Sequence, residues 1–332
     1  MPAPAPTPSR PTAAPPPPRA PRVTLASVVK RANASPLRVL LHGVEGVGKT
    51  TFGALAPSAV ILGPEDGIPR ELGEVPHFPM PEGGWTWPDV VDAVRALAAG
   101  NHEYQTLVID TLDWLEPLLW RDVCERNGAT SIEEVGGGYG KGYVAALDGW
   151  RSFIAELEQL RRAKAMHIIL LAHSVIRSFK NPVGDDYDRF ELKLNAKAAG
   201  IWKEWPDAVL FASHDDVASK DTRTKRVRGI STGARVVRTV HHAAYDAKNR
   251  FGLPEELPLS WAEFYAAVEA GPAARVAELR AAIDLLLKEA PEALVRTATG
   301  VVERAGTDVA KLTEAHNWLT QKLEQLAQQK GA

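Results

Sequence analysis

Short apolar runs alternate with stretches of three- and four-residue apolar spacing along most of this chain. Residues 38–42, 59–62, 106–109, 167–172 and 208–212 are compact, largely apolar runs, which predicts strands buried on both faces. Between them, residues 88–99, 112–126 and 143–163 read as amphipathic helices. In the last, Leu147, Trp150, Phe153, Ile154, Leu157 and Leu160 share one stripe. Strands alternating with helices predict an α/β fold with a mostly parallel sheet covered on both sides.

After residue 213 the pattern changes. Residues 226–230 and 235–240 flank Ser231-Thr232-Gly233, which predicts a β-hairpin turning at those three residues. A helix follows over 261–269. From 272 onward the chain reads as wholly helical, with amphipathic segments at 276–287 and 309–326 and punctuation at Gly300 and Gly306. At the other end, ten of the 25 prolines fall within residues 1–22. Such a segment forms neither helix nor ladder and reads as a disordered, proline-rich spacer. A short helix is predicted over 23–33. The expected organisation is a tail (1–22), a core (23–271) and a helical extension (272–332).

Composition narrows the class. Of 332 residues, 45% are hydrophobic and 24% charged, enough for a large core. The net charge of −2 excludes a protein that coats nucleic acid by bulk charge, although a local basic patch remains open. One cysteine, Cys124, excludes an intrachain disulfide and a thiolate zinc cluster, and fits a reducing compartment. There is no apolar run of membrane-spanning length and no signal-type leader, so the expectation is a cytoplasmic protein without membrane contact.

The strongest chemical signal is Gly43-Val44-Glu45-Gly46-Val47-Gly48-Lys49-Thr50, followed by Thr51. It fits G-x-x-x-x-G-K-[ST] in full, between a predicted strand and a predicted helix. Glycines let successive N–H groups wrap phosphate oxygens. Lys49 is placed to reach the β- and γ-phosphates, and the Thr50 hydroxyl to coordinate Mg²⁺. A metal-side carboxylate is expected at the end of a neighbouring strand, and Asp110 stands at the end of 106–109. Asp113 and Glu116 follow as weaker candidates. Glu65 closes the run after 59–62 and is a candidate to activate water; an exposed loop carboxylate fits the same residues equally well.

This order of pieces resembles RecA-like ATPases. The resemblance implies that Glu65 is catalytic and that the polar residue after the fourth core strand, here His173, senses the γ-phosphate. A histidine there is similar to phage RecA-like P-loop ATPases of the single-strand annealing type, AAA-domain nucleotide-binding proteins. Lys248-Asn249-Arg250-Phe251-Gly252 resembles the K-N-R-F-G motif of bacterial RadA. By that likeness Lys248 and Arg250 act on the ATP of a neighbouring subunit, in a ring or a filament. The likeness spans roughly residues 36–262 and includes Leu253-Pro254. RadA's cysteine-rich finger and protease-like domain have no counterpart in the chain.

The resemblance implies ATP and Mg²⁺ as ligands and single-stranded DNA as a partner, in recombination, annealing or replication inside a bacterial host. The loop carrying Tyr139, Lys141 and Tyr143 suits stacking on single strands, and local packing of the tyrosines suits it equally. Residues 220–238 carry seven basic side chains, Lys225, Arg226 and Arg228 among them, against one acid. Such a basic hairpin suits a phosphate backbone. The helices beyond 272 are candidates for contact with a single-strand-binding protein or a replisome partner. Two other classes compete: a partner-binding P-loop switch without DNA, and a small-molecule P-loop kinase. No compact arginine-rich lid of the kinase kind is found.

Overall fold

The structure, a computed structural model, describes residues 25–28, 35–65, 67–220 and 227–330. The chain divides into two compact units, residues 1–35 and 36–332. Of the first, a short 3₁₀ turn at Leu25–Ser27 is described. The tail over 1–22 and most of the helix predicted over 23–33 lie outside the described residues.

In the second unit the apolar runs become β1 (Arg38–Gly43), β2 (Ala59–Leu62), β3 (Thr106–Ile109), β4 (His167–Phe179) and β6 (Ala208–Lys220). The remaining strands are β5 (Tyr187–Leu192), β7 (Val227–Arg238), β8 (Lys248–Asn249) and β9 (Glu256–Pro258). Together the described strands build one mixed sheet of order β2-β3-β4-β1-β6-β7-β9, with β5 on β4 and β8 on β6. The strands β2, β3, β4, β1 and β6 are parallel, and β7 and β9 extend the sheet beyond β6 by antiparallel pairing.

Continuous apolarity follows from burial on both faces. Leu40, Leu107, Ile109, Ile168 and Leu170 face α2 (Trp87–Ala99), α3 (Leu112–Asn127), α4 (Lys141–Lys164) and α5 (Ala196–Glu204). There Trp150 sets its ring edge-on to Trp87 at 5.2 Å and to Trp202 at 5.1 Å. Their neighbours Val39, Leu41, Val108, Ile169 and Leu171 face the opposite way. They pack with Phe52 of α1 (Lys49–Ala54) and with Trp261 and Phe264 of α6 (Trp261–Glu289). This α/β architecture with a mostly parallel sheet is the one the pattern predicts.

Two predicted details change. The hairpin of residues 213–240 does not turn at Ser231-Thr232-Gly233. Those residues lie inside β7, which pairs with β6 from Val227 to Arg238; residues 221–226, between the two strands, lie outside the described residues. Gly233 has φ 75 where the register slips between His214 and Asp216. Its glycine signal marks a bulge rather than a turn. The fourth core strand also does not stop at His173. It continues to Phe179 and forms an antiparallel hairpin with β5, pairing Ser174 with Leu192 and Phe179 with Tyr187.

Helix α6 merges the segments predicted at 261–269 and 276–287, broken at Gly271, whose φ is 68. Its second half packs with α7 (Glu292–Ala305) and α8 (Val309–Lys330) around Leu279, Ile283, Leu312 and Leu319. Among the described residues no helix is long and apolar enough to cross a membrane.

Candidate functional site

The carboxyl ends of parallel strands are where ligands gather in open α/β sheets, and the predicted residues meet at that edge. Strand β1 ends at Gly43, flanked by His173 on β4 and Ala212 on β6. A Cβ on Gly43 would lie 2.3 Å from the Ala212 carbonyl oxygen, so only glycine fits there. The loop that follows takes left-handed backbone at Gly46 (φ 73) and Gly48 (φ 106), and it is anchored by the fully buried Val47. Val44 and Glu45 form its shoulder, with Glu45 3.7 Å from Lys193.

Lys49 lies under this loop, and its ammonium donates to the carbonyls of Val44 at 2.9 Å and Gly43 at 3.2 Å. Burial pushes its pKa below the ordinary lysine range, against the pull of Asp110, Asp113, Glu65 and Glu45. The Thr50 hydroxyl donates to Asp110 Oδ2 at 2.7 Å, and Thr51 lines the same cleft. Burial pushes Asp110 up to about 6, against the hydrogen bond from Thr50.

Asp110 comes from β3, one strand removed from β1, with His173's strand between them. Gly63 passes so close to Asp110 that a Cβ would fall 1.8 Å from its carbonyl oxygen. Glu65 and His173 line the cleft with Lys49, Thr50 and Asp110, around a volume of about 470 Å³.

Two roles in this region were not legible beforehand. Asp113, a weaker metal-side candidate, is bonded to His173. It accepts from the His173 backbone N–H at 2.9 Å and from its Nδ1 at 2.8 Å. Burial alone would raise Asp113, but these bonds hold it below the usual carboxylate range. The second is Arg235. The sequence placed it in a basic hairpin, yet its guanidinium lines the cleft, 2.7 Å from where a Cβ on Gly48 would stand. The strand-face alternation running back from Val237 was the signal for it.

Glu116 stands apart from the cleft. It is buried on α3 and accepts the Asn195 N–H at 2.9 and 3.1 Å, which ties α3 to the start of α5. Burial pushes its pKa from 4.5 to about 7, and Asp113 adds to the rise. The folded state therefore holds this proton through a window where the unfolded chain has released it, and stability falls as pH rises from about 4.5 to 7. Glu116→Gln keeps an acceptor for Asn195 and removes the ionisation. At pH 8 the variant should melt above wild type, by up to about 3 kcal/mol. Near pH 4.5 the two melting curves should coincide; a variant that gains nothing at pH 8 would contradict the assignment.

The remaining predicted residues lie elsewhere. Lys248 and Arg250 sit at the opposite end of the sheet, level with the start of β1. Lys248 donates to the Lys203 and Glu204 carbonyls that end α5, and Arg250, about half exposed, lies 3.6 Å from Asp207. Tyr139 is fully exposed. Lys141 donates to the Gly136 carbonyl, while Tyr143 donates to Glu133 and packs edge-on against Trp120. Lys225 and Arg226 lie outside the described residues; Arg228 is placed by its backbone on β7, opposite Ser219.

The donor set suits a hard cation. A hydroxyl and one carboxylate at hydrogen-bond distance match the way Mg²⁺ is shared between few protein oxygens and substrate phosphates. Among the described residues no cluster of three or more His, Cys, Asp or Glu side chains forms a metal cage of its own.

A glycine-rich loop between strand and helix, a lysine beneath it, and a hydroxyl paired to a carboxylate from the next strand but one define a P-loop NTPase. Within that class, a family model described as AAA domain matches residues 35–251, about two thirds of the chain, and the chain belongs to this family. The matched region contains every cleft residue named above, and membership assigns nucleotide binding and hydrolysis as the class of activity. No curated protein matches the chain.

Proposed function

We propose that this chain is a magnesium-dependent, RecA-like ATPase that works on single-stranded DNA, in annealing, strand exchange or replication. The observation that carries the ATPase reading is the convergence of Lys49, Thr50, Asp110, Glu65 and His173 on one cleft from four neighbouring strands and the loops after them.

In this reading the loop amides hold the phosphates, and Lys49 exchanges its two loop carbonyls for β- and γ-phosphate oxygens. Thr50 and Asp110 hold magnesium, which when bound neutralises charge that develops on the phosphates. Glu65 orients the attacking water and accepts its proton. Asp113 holds His173 by Nδ1 and by its backbone N–H, which leaves Nε2 for the cleft. The placement of His173's strand between those of the P-loop and of Asp110 supports the RecA-like assignment.

The DNA reading rests on a different surface. Tyr139 offers a free aromatic face, whereas Tyr143 is engaged with Glu133 and Trp120. The basic β6–β7 segment offers phosphate contacts. The test measures ATP hydrolysis by the full chain with and without single-stranded oligonucleotide, across a salt series. Stimulation that weakens steeply with salt is expected. If oligonucleotide neither binds nor stimulates while hydrolysis persists, the chain is a P-loop switch without DNA.

A further inference from the structure

The cleft holds a cation that the motifs did not announce. Strand β7 pairs Val237 with Ala212, and Ala212 lies opposite Gly43, the last residue of β1. Residues two apart on a strand share a face. Val237 is fully buried among Val47, Phe52 and Leu41, on the face that carries the P-loop and α1. Arg235 is therefore on that same face, one pleat beyond the end of β1, and projects over the loop. Its backbone is fixed as well: the Leu259 N–H donates to the Arg235 carbonyl at 2.9 Å, and Val236 pairs with Pro258 of β9.

The other arginines of this region are engaged. Arg238 pairs with Glu256 at 2.8 Å and lies over the Tyr245 ring, Arg189 pairs with the Asp246 carboxylate, and Arg250 lies beside Asp207. Arg235 has no carboxylate or ring partner among the described residues. It lines the same cleft as Lys49, Glu65, Asp110 and His173, with Nη1 2.7 Å from the Cβ that Gly48 lacks. A Cβ at position 48 would collide with that guanidinium. Gly48 thus leaves room for the arginine as well as for the left-handed turn.

We infer that Arg235 is a catalytic residue acting in cis: its guanidinium contacts the phosphate chain of the nucleotide held by its own subunit's P-loop. The inference rests on the ATPase reading above and extends it. A planar guanidinium with two parallel donors matches phosphate oxygens better than an ammonium does. Supplied from β7, it links the state of the nucleotide to the β6–β7 hairpin, the same element that carries the basic segment.

The test titrates the full chain and its Arg235→Ala, Arg235→Lys and Lys49→Ala variants with fluorescent ATP and ADP, and measures steady-state hydrolysis. Arg235→Ala should lose about 10- to 100-fold in ATP affinity and turnover, the span expected for a charge-assisted contact. Arg235→Lys should recover part of it. The Arg235 side chain is exposed and has no carboxylate or ring partner among the described residues, so thermal melting should stay at the wild-type value. A mixture of Arg235→Ala with Lys49→Ala should hydrolyse no faster than its components, because each intact site needs both residues in one chain. The inference is overturned if Arg235→Ala matches wild type in affinity and turnover while Lys49→Ala is inactive. It is also overturned if the mixture regains activity. Failure of the ATPase reading looks different, since the wild-type chain would then bind neither nucleotide.

Discussion

Glu65→Gln should slow ATP hydrolysis by about 10²- to 10⁴-fold, the range associated with loss of a general base, and leave ATP affinity intact. Glu65 stands three residues past β2 and lines the cleft across from Thr50 and Asp110. The amide keeps the size and one acceptor oxygen of the carboxylate but cannot take a proton from water. Loop and metal contacts depend on Lys49, Thr50 and Asp110, so binding should survive. The measurement is single-turnover hydrolysis beside equilibrium nucleotide binding. Turnover at the wild-type rate would return Glu65 to the role of an exposed loop carboxylate.

Arg250→Ala should cost about 10³- to 10⁵-fold in turnover if its guanidinium completes a neighbour's site, the worth of an arginine finger in phosphoryl transfer. Within its own subunit the residue cannot serve. It lies level with the start of β1, four to five residues from Gly43, about 15 Å at the strand rise. A residue at that end of the sheet reaches a nucleotide only in another copy of the chain. Doping wild type with the variant should therefore depress activity below the fraction of wild type that remains. Strictly proportional activity would reduce Arg250 to a partner of Asp207 and remove the evidence for a shared site. The two arginines make opposite mixing predictions, with Arg235 confined to its own chain and Arg250 to a neighbour's.

What could be read before folding was what repeats locally. The P-loop is contiguous, and Asp110 sits at the end of an apolar run, so both were named from position alone. Strands buried on both faces leave unbroken apolar runs, and five of them were visible. The hairpin turn was misplaced because a glycine at positive φ serves a bulge as well as a turn, and only the partner strand's register separates the two. The second half of β4 was missed because Val175, Ile176 and Phe179 are at most half-buried there, which interrupts the run. Asp113 and Arg235 were not assigned their roles for one reason. Each depends on which strand lies beside which, Asp113 through β4 next to β3 and Arg235 through β7 next to β6. That adjacency is set by long-range pairing: alternation along β7 tells which face Arg235 shares with Val237, but not which strand lies beside it.

The close approaches at Gly43 and Gly63 carry a lesson for anyone who would redesign this cleft. Neither residue offers a functional group, yet the positions of Ala212, beside the P-loop, and of Asp110 are set by backbones that touch where those side chains are missing. The interchangeable parts are the groups that project into the cavity, such as Glu65, His173 and Arg235. The chassis is two bare stretches of main chain, and an engineer who adds a single methyl to either must rebuild the sheet beneath the chemistry.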